Sequence, residues 1–224
     1  VSGHSASLGT TGLESVAGTQ ELTGAIAVTA DDIALNTRVV LPSGQLKLHA
    51  LTGDVELGNQ AQVDLAGRQI NFSDSVVVSK GGVLDINSEL GNIAFETGSS
   101  VDLRGGASTV SGGQMKLSAT EGTIGLSGEI KAENGSIEID QARFNGSGGL
   151  NDLASKIATA GFNQSIRLRT RLDDMVLAQD HSINAQDVLL TADTGKIEVH
   201  GNIIATKKSG GIIELSAADK VILA

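Results

Sequence analysis

A short pattern of apolar residues recurs along most of this chain and constrains its fold more than any other feature. In each copy, apolar residues lie two and four residues after the start, and a glycine often lies near the ninth. Further apolar pairs follow near the eleventh and thirteenth residues and again a few residues later. The copy that starts at Gly82 has the pairs Leu84 and Ile86, Ile93 and Phe95, then Val101 and Leu103. A spacing of two is strand periodicity, and each pair is too short to be a helix.

The copies start at Gly24, Gly44, Gly82, Gly113, Gly135, Gln164, Gln186 and Gly211. Three short strands in about 20 residues, closed by glycine-rich corners, are typical of one coil of a β-solenoid. Stacking at about 4.8 Å pairs each backbone with the next and builds a continuous apolar column. The pattern predicts an all-β, right-handed parallel β-helix in which residues 1–224 form a single segment; residues 1–23 fit it only loosely. The handedness rests on the general preference for right-handed parallel crossovers.

Two segments depart from this rhythm. The register is weakest between Leu65 and Gly82, where residues 63–78 are interpreted as an extra coil with Ile70 and Phe72 in one of its strands. Further on, Leu150, Leu153, Ala154 and Ile157 have helical spacing. We therefore expect a short helix near 151–160, capped by Asn151 and ended by Gly161, within a corner insertion at 146–163. An irregular loop is the alternative there.

The residue that follows the first apolar residue of each copy gives an independent check on the frame. It is Lys47, Asp85, Lys116, Glu138, Arg167, Leu189 and Glu214 in successive copies. Apart from Leu189, these residues alternate in charge. Because stacked neighbours on one sheet face interact, opposite charges there favour the predicted register.

Composition narrows the classes of function. The net charge is −10, which disfavours nucleic acid as a partner because the phosphate backbone would be repelled. The chain has no cysteine, so disulfides, thiolate metal sites and thiol catalysis are excluded. No apolar run reaches membrane-spanning length, so membrane insertion is not expected. The chain starts at Val1 without a signal peptide, which favours an interior piece of a longer protein.

Several stretches resemble the shaft repeats of filamentous haemagglutinin-type adhesins, large exoproteins that Gram-negative bacteria export by two-partner secretion. They are Gly113–Leu126 (GQMKLSATEGTIGL), Leu190–Ala205 (LTADTGKIEVHGNIIA) and Gly211–Leu223 (GIIELSAADKVIL). The resemblance covers residues 24–224 apart from the helical insertion, and it rests on patterns rather than on fixed residues. It implies a right-handed β-helix, a secreted or cell-surface location, and a role in attachment, biofilm formation or presentation of a toxin.

One departure from the family places the segment within such a protein. The family's amino-terminal secretion domain carries Asn-Pro motifs, whereas Pro42, the one proline here, lies in Leu-Pro-Ser. The resemblance therefore implies interior shaft. The implied partners are the rest of the parent exoprotein, the outer-membrane transporter during export, and a glycan or protein of the host surface. The segment itself is expected to be a monomer.

The candidate ligand site is a row of three arginines, Arg167, Arg169 and Arg171, in Ile-Arg-Leu-Arg-Thr-Arg. In an extended strand they would share one solvent face, where they could bind sulfated or acidic glycans. The competing interpretation is an ordinary charged face, since Arg167 belongs to the alternating column and Asp173 and Asp174 are near in sequence.

Other polar residues have simpler explanations. The pairs Asp31-Asp32 and Asp173-Asp174 invite calcium but match no calcium motif, so turn residues are expected. The four histidines are His4, His49, His181 and His200; they lack metal-ligand spacing and are expected at exposed corners. Asn-X-Ser sequons occur at Asn71, Asn134, Asn145 and Asn163, as chance allows in a chain of this composition.

Three functions are compatible with these sequence features. The first is a stiff, non-enzymatic shaft that holds a binding or toxin region away from the cell and needs no cofactor. The second is direct adhesion by this segment through the insertion and its arginines. The third is a β-helix polysaccharide lyase or hydrolase, which would need two carboxylates about 5–9 Å apart over a cleft. The absence of Trp and Tyr disfavours the third, because sugars commonly stack on aromatic rings.

Overall fold

The chain is mostly β-structure with parallel sheets and one helix. The computed structural model describes residues 5–9, 22–144, 146, 148–207 and 210–224. These residues form strands β1–β23, numbered along the chain, and helix α1. The predicted all-β class with one short helix is confirmed at this level.

The first strand of each copy pairs in parallel with the first strand of the next, and we call this series the first ladder. It consists of β2 (Ala25–Ala30), β5 (Gln45–Ala50), β10 (Val83–Ser88), β13 (Gln114–Leu126), β15 (Gly135–Phe144), β16 (Phe162–Thr170), β19 (Asp187–Ala192) and β22 (Ile212–Ala217). One row of paired positions runs through Ile26, Leu46, Leu84, Met115, Ile137, Ile166, Val188 and Ile213. The predicted register of the copies is therefore confirmed.

Two further ladders follow the same order of copies. The second ladder contains β1 (Ser5–Gly9), β3 (Asp32–Asn36), β6 (Val55–Leu57) and β11 (Ile93–Phe95), the ends of β13 and β15, and then β17 (Met175–Leu177), β20 (Ile197–Val199) and β23 (Val221–Leu223). The third contains β4 (Arg38–Val40), β7 (Gln62–Asp64), β12 (Ser100–Asp102) and β14 (Glu129–Lys131), and then β18 (Ser182–Ala185) and β21 (Asn202–Ala205). All of these pairings are parallel.

The core is formed by the apolar residues that the period of two selected. Leu46, Leu84 and Met115 of the first ladder are buried, as are Ile93 and Phe95 of the second and Val101 of the third. They belong to one hydrophobic cluster that extends across the copies. The alternate residues face outward, and Lys47 and Asp85 of the charge column form an ion pair at 3.9 Å. The spacing of two in the sequence therefore correctly identified the buried side chains.

The segment before Gly82 is a hairpin, and the extra coil considered for residues 63–78 is wrong. Strands β8 (Gln69–Asn71) and β9 (Val76–Val78) pair antiparallel, with Ile70 opposite Val77. Phe72, expected to be buried in a strand, is 56% exposed at the turn. The hairpin closes on itself because Ser79 N donates to Arg68 O at 2.9 Å. It therefore projects from a corner and leaves the ladders in register.

The predicted helix is present as α1 (Leu150–Ala160), and Gly161 ends it with a φ of 85°. The predicted cap is wrong: Gly149 occupies the N-cap position, and no side chain caps the helix. Asn151 lies inside the helix, where its Oδ1 accepts a hydrogen bond from Ala178 N at 2.8 Å.

Helix α1 lies between the two parts of the third ladder. It contacts β14 before it and β17 and β18 after it, and Ala132 N donates to Ala160 O at 2.7 Å. Leu150, Ala154, Ile157 and Ala160 are buried in the common core. One side of the helix therefore covers core residues at a place where the copy from Gly135 has no third strand.

Candidate functional site

Two of the three arginines lie within one strand, and the third follows its end. Arg167 and Arg169 lie in β16, exposed, and alternate with the buried Ile166 and Leu168. Arg171 follows the end of β16 and turns back toward the preceding copy, where it reaches Asp140 of β15. Two of the three arginines therefore lie within the strand, and the third reaches the same outward side through Asp140, the residue paired with Arg169.

Two of these guanidinium groups are already occupied by carboxylates. Arg169 holds Asp193 through Nε–Oδ1 and Nη2–Oδ2 distances of 3.0 and 2.9 Å. Arg171 holds Asp140 through the same atoms at 2.9 and 2.8 Å. Each hydrogen-bonded carboxylate raises the pKa of its arginine above the ordinary value. Because bidentate pairs are the strongest of this kind, an anionic ligand would have to displace a carboxylate.

Arg167 is the member of the row that stays available. It lies in register between Glu138 and Leu189, and the hydrogen bonds and ion pairs of the described residues include none from its guanidinium. Asp173 and Asp174, expected beside the row, instead pair with Arg143 at 3.1 Å and Lys196 at 3.9 Å. That Asp140 lies beside the arginines could have been predicted from the sequence, since the predicted register places it opposite Arg169.

The aspartates at the turns act as hydrogen-bond acceptors between copies. The Oδ1 atom of Asp32 accepts from Asp54 N at 3.3 Å, and that of Asp54 accepts from Asn92 N at 2.6 Å. Asp174 Oδ1 likewise accepts from Lys196 N at 3.0 Å. Within the described ranges, no group of three or more His, Cys, Asp or Glu residues could hold a metal ion. These side chains therefore extend the backbone ladders through the turns.

A groove at one corner brings carboxylates together, and the sequence analysis missed it. Asp64 of β7 and Asp102 of β12 are in register, and Glu133 lies beside them. Each aspartate is held by an arginine, with Arg68 Nη2 and Arg104 Nη2 both 2.6 Å from a carboxylate oxygen. The two ion pairs could have been predicted from the sequence, since Asp64 lies four residues before Arg68 and Asp102 lies two residues before Arg104.

The carboxylate of Asp102 is stabilised in its charged form by the arginine that holds it. Burial alone would raise the pKa of Asp102, but the hydrogen bonds from the side chain and backbone of Arg104 and the positive charges of Arg104 and Lys131 together hold this pKa below its ordinary value of 3.8. A glycosidase acid needs the opposite shift, because it must keep its proton near neutral pH.

Asp102 should make the fold sensitive to acid. Because its pKa is lower in the folded chain, its contribution to stability is present above the ordinary value of 3.8 and is lost as the pH falls through the lower, folded value. Asp102→Asn should therefore have a lower free energy of unfolding than the parent at neutral pH. The difference between the two free energies should shrink as the pH falls below 3.8. Urea unfolding across this range measures it. Asp85→Asn is the control, since Asp85 lies 3.9 Å from Lys47 and should give a smaller difference. A difference for Asp102→Asn that does not change with pH would contradict this assignment.

The histidines and sequons are dispersed. His49 lies within β5, not at a corner as expected, with its Nε2 2.8 Å from Glu89 Oε1. His181 and His200 lie near Asp180 and Glu198. Of the sequon residues, Asn71 lies in the hairpin, and Asn134 and Asn163 hydrogen-bond to each other at 3.2 Å. His4 and Asn145 lie outside the described residues.

Comparisons with known proteins leave the chain without an assigned family. A search against protein-family models found no match. Searches of the curated proteins and of the solved structures found no match either. In the part of the chain that the structure describes, no helix is long and apolar enough to cross a membrane.

Proposed function

We propose that this chain is a shaft segment of a large secreted bacterial surface adhesin of the filamentous haemagglutinin type. In this proposal the three ladders are the faces of a right-handed parallel β-helix with about 20 residues per coil. The segment performs no catalysis; it holds a distal binding or toxin region away from the cell. The resemblance of its repeats to that family suggests the location and the parent protein.

The observation that carries the proposal is the constant register of the copies. Eight first strands follow one another in parallel, and the same row of apolar residues runs through all of them. A structure in which each copy contacts chiefly its neighbours is extended by adding copies, without a change of register. The first ladder, which runs through all eight copies over an apolar core, would also make such a structure stiff, as a shaft requires.

The outermost described copies expose apolar residues whose equivalents in the middle copies are buried. Leu84, in the middle of the first ladder, is fully buried, whereas Ile213 of the last copy, in the same row, is 46% exposed. Leu223 and Ile26 are exposed as well. Exposed apolar patches of this kind usually mark surfaces that another element covers.

Direct adhesion by this segment is the second candidate, and Arg167 is the observation that favours it. Its guanidinium is exposed and has no ion pair within the described ranges, so it could accept a sulfate or carboxylate of a host glycan. Arg169 and Arg171 weaken this candidate, because Asp193 and Asp140 occupy them.

Binding of the purified chain to a glycan array and to host cells at physiological salt separates the two candidates. The shaft proposal predicts no saturable binding by a well-folded chain. It also predicts no difference between the parent and a variant with Arg167, Arg169 and Arg171 all replaced by glutamine. Substitution is preferable to removing residues 146–163, because that deletion would uncover the core beneath Leu150 and Ile157. A matched control variant replaces Lys47, Lys116 and Arg38 by glutamine. It loses the same number of positive charges as the arginine variant, but at other positions.

Saturable binding that is lost in the arginine variant and kept in the control would overturn the shaft proposal. The segment would then be an adhesive module. A far-ultraviolet circular dichroism spectrum typical of β-structure is needed for each variant, so that unfolding is not mistaken for loss of a ligand site.

A further inference from the structure

We draw no further inference here: the strongest candidate, the apolar surface that Phe72, Val76 and Val77 form on the projecting β8–β9 hairpin, is exposed, and nothing in the structure shows what covers it.

Discussion

Replacing Phe95 by alanine should lower the free energy of unfolding by about 3–5 kcal/mol. Phe95 is 1% exposed and lies in register between Leu57 and Leu126, so its ring fills the column on both sides. Removing the ring takes away its burial and leaves a cavity that the ladder hydrogen bonds prevent from collapsing. Unfolding in urea, followed by circular dichroism, measures the loss.

Val176→Ala is the matched control for Phe95→Ala. Val176 is also an apolar residue of the second ladder, but it is the outward residue of β17 and is 37% exposed. Its replacement should cost less than about 1 kcal/mol. Comparable losses for the two variants would show that the inner face of the ladder is not a close-packed core.

Gly82→Ala should destabilise the chain by at least about 2–3 kcal/mol, because there is no room for a methyl group. Gly24, Gly44, Gly82 and Gly113 form a column at one corner. A Cβ on Gly82 would come within 2.2 Å of Gly44 O, and that oxygen already accepts from Val83 N at 2.8 Å. The backbone cannot move aside without breaking this bond of the ladder.

Gly9→Ala serves as the control for the glycine column, since a Cβ there would meet no atom of the described residues within 4 Å. It should leave the urea midpoint nearly unchanged. If Gly82→Ala were equally harmless, the close approach of successive copies at this corner would be disproved.

The predictable part of the fold was the part that repeats. A spacing of two residues identified Leu84, Ile86 and their equivalents as inward-facing, and the spacing of the glycines set the register. The hairpin was not predictable in this way. Val76 and Val77 have the same apolar character as core residues but are exposed, and periodicity cannot distinguish an inner strand from a projecting one.

The candidate site was predictable only where it depended on the register. Arg169 lies opposite Asp140 as the copies imply, but the observed pairs cross over, so that Arg171 binds Asp140 and Arg169 binds Asp193. Which carboxylate an arginine reaches depends on side-chain conformation, which a repeat does not encode.

The break in the ladders at α1 has a mechanical consequence. Where the described residues cross from β15 to β16, the first ladder alone continues strand to strand; the second resumes at β17 and the third at β18. In the proposed β-helix, the copies from Gly44 to Gly113 are joined by three ladders, so tension along the axis would be shared by three sets of backbone hydrogen bonds. Between β15 and β16 it would fall on the first ladder and on the side-chain packing of the helix. Such a segment, pulled from its two ends, should therefore yield first between β15 and β16.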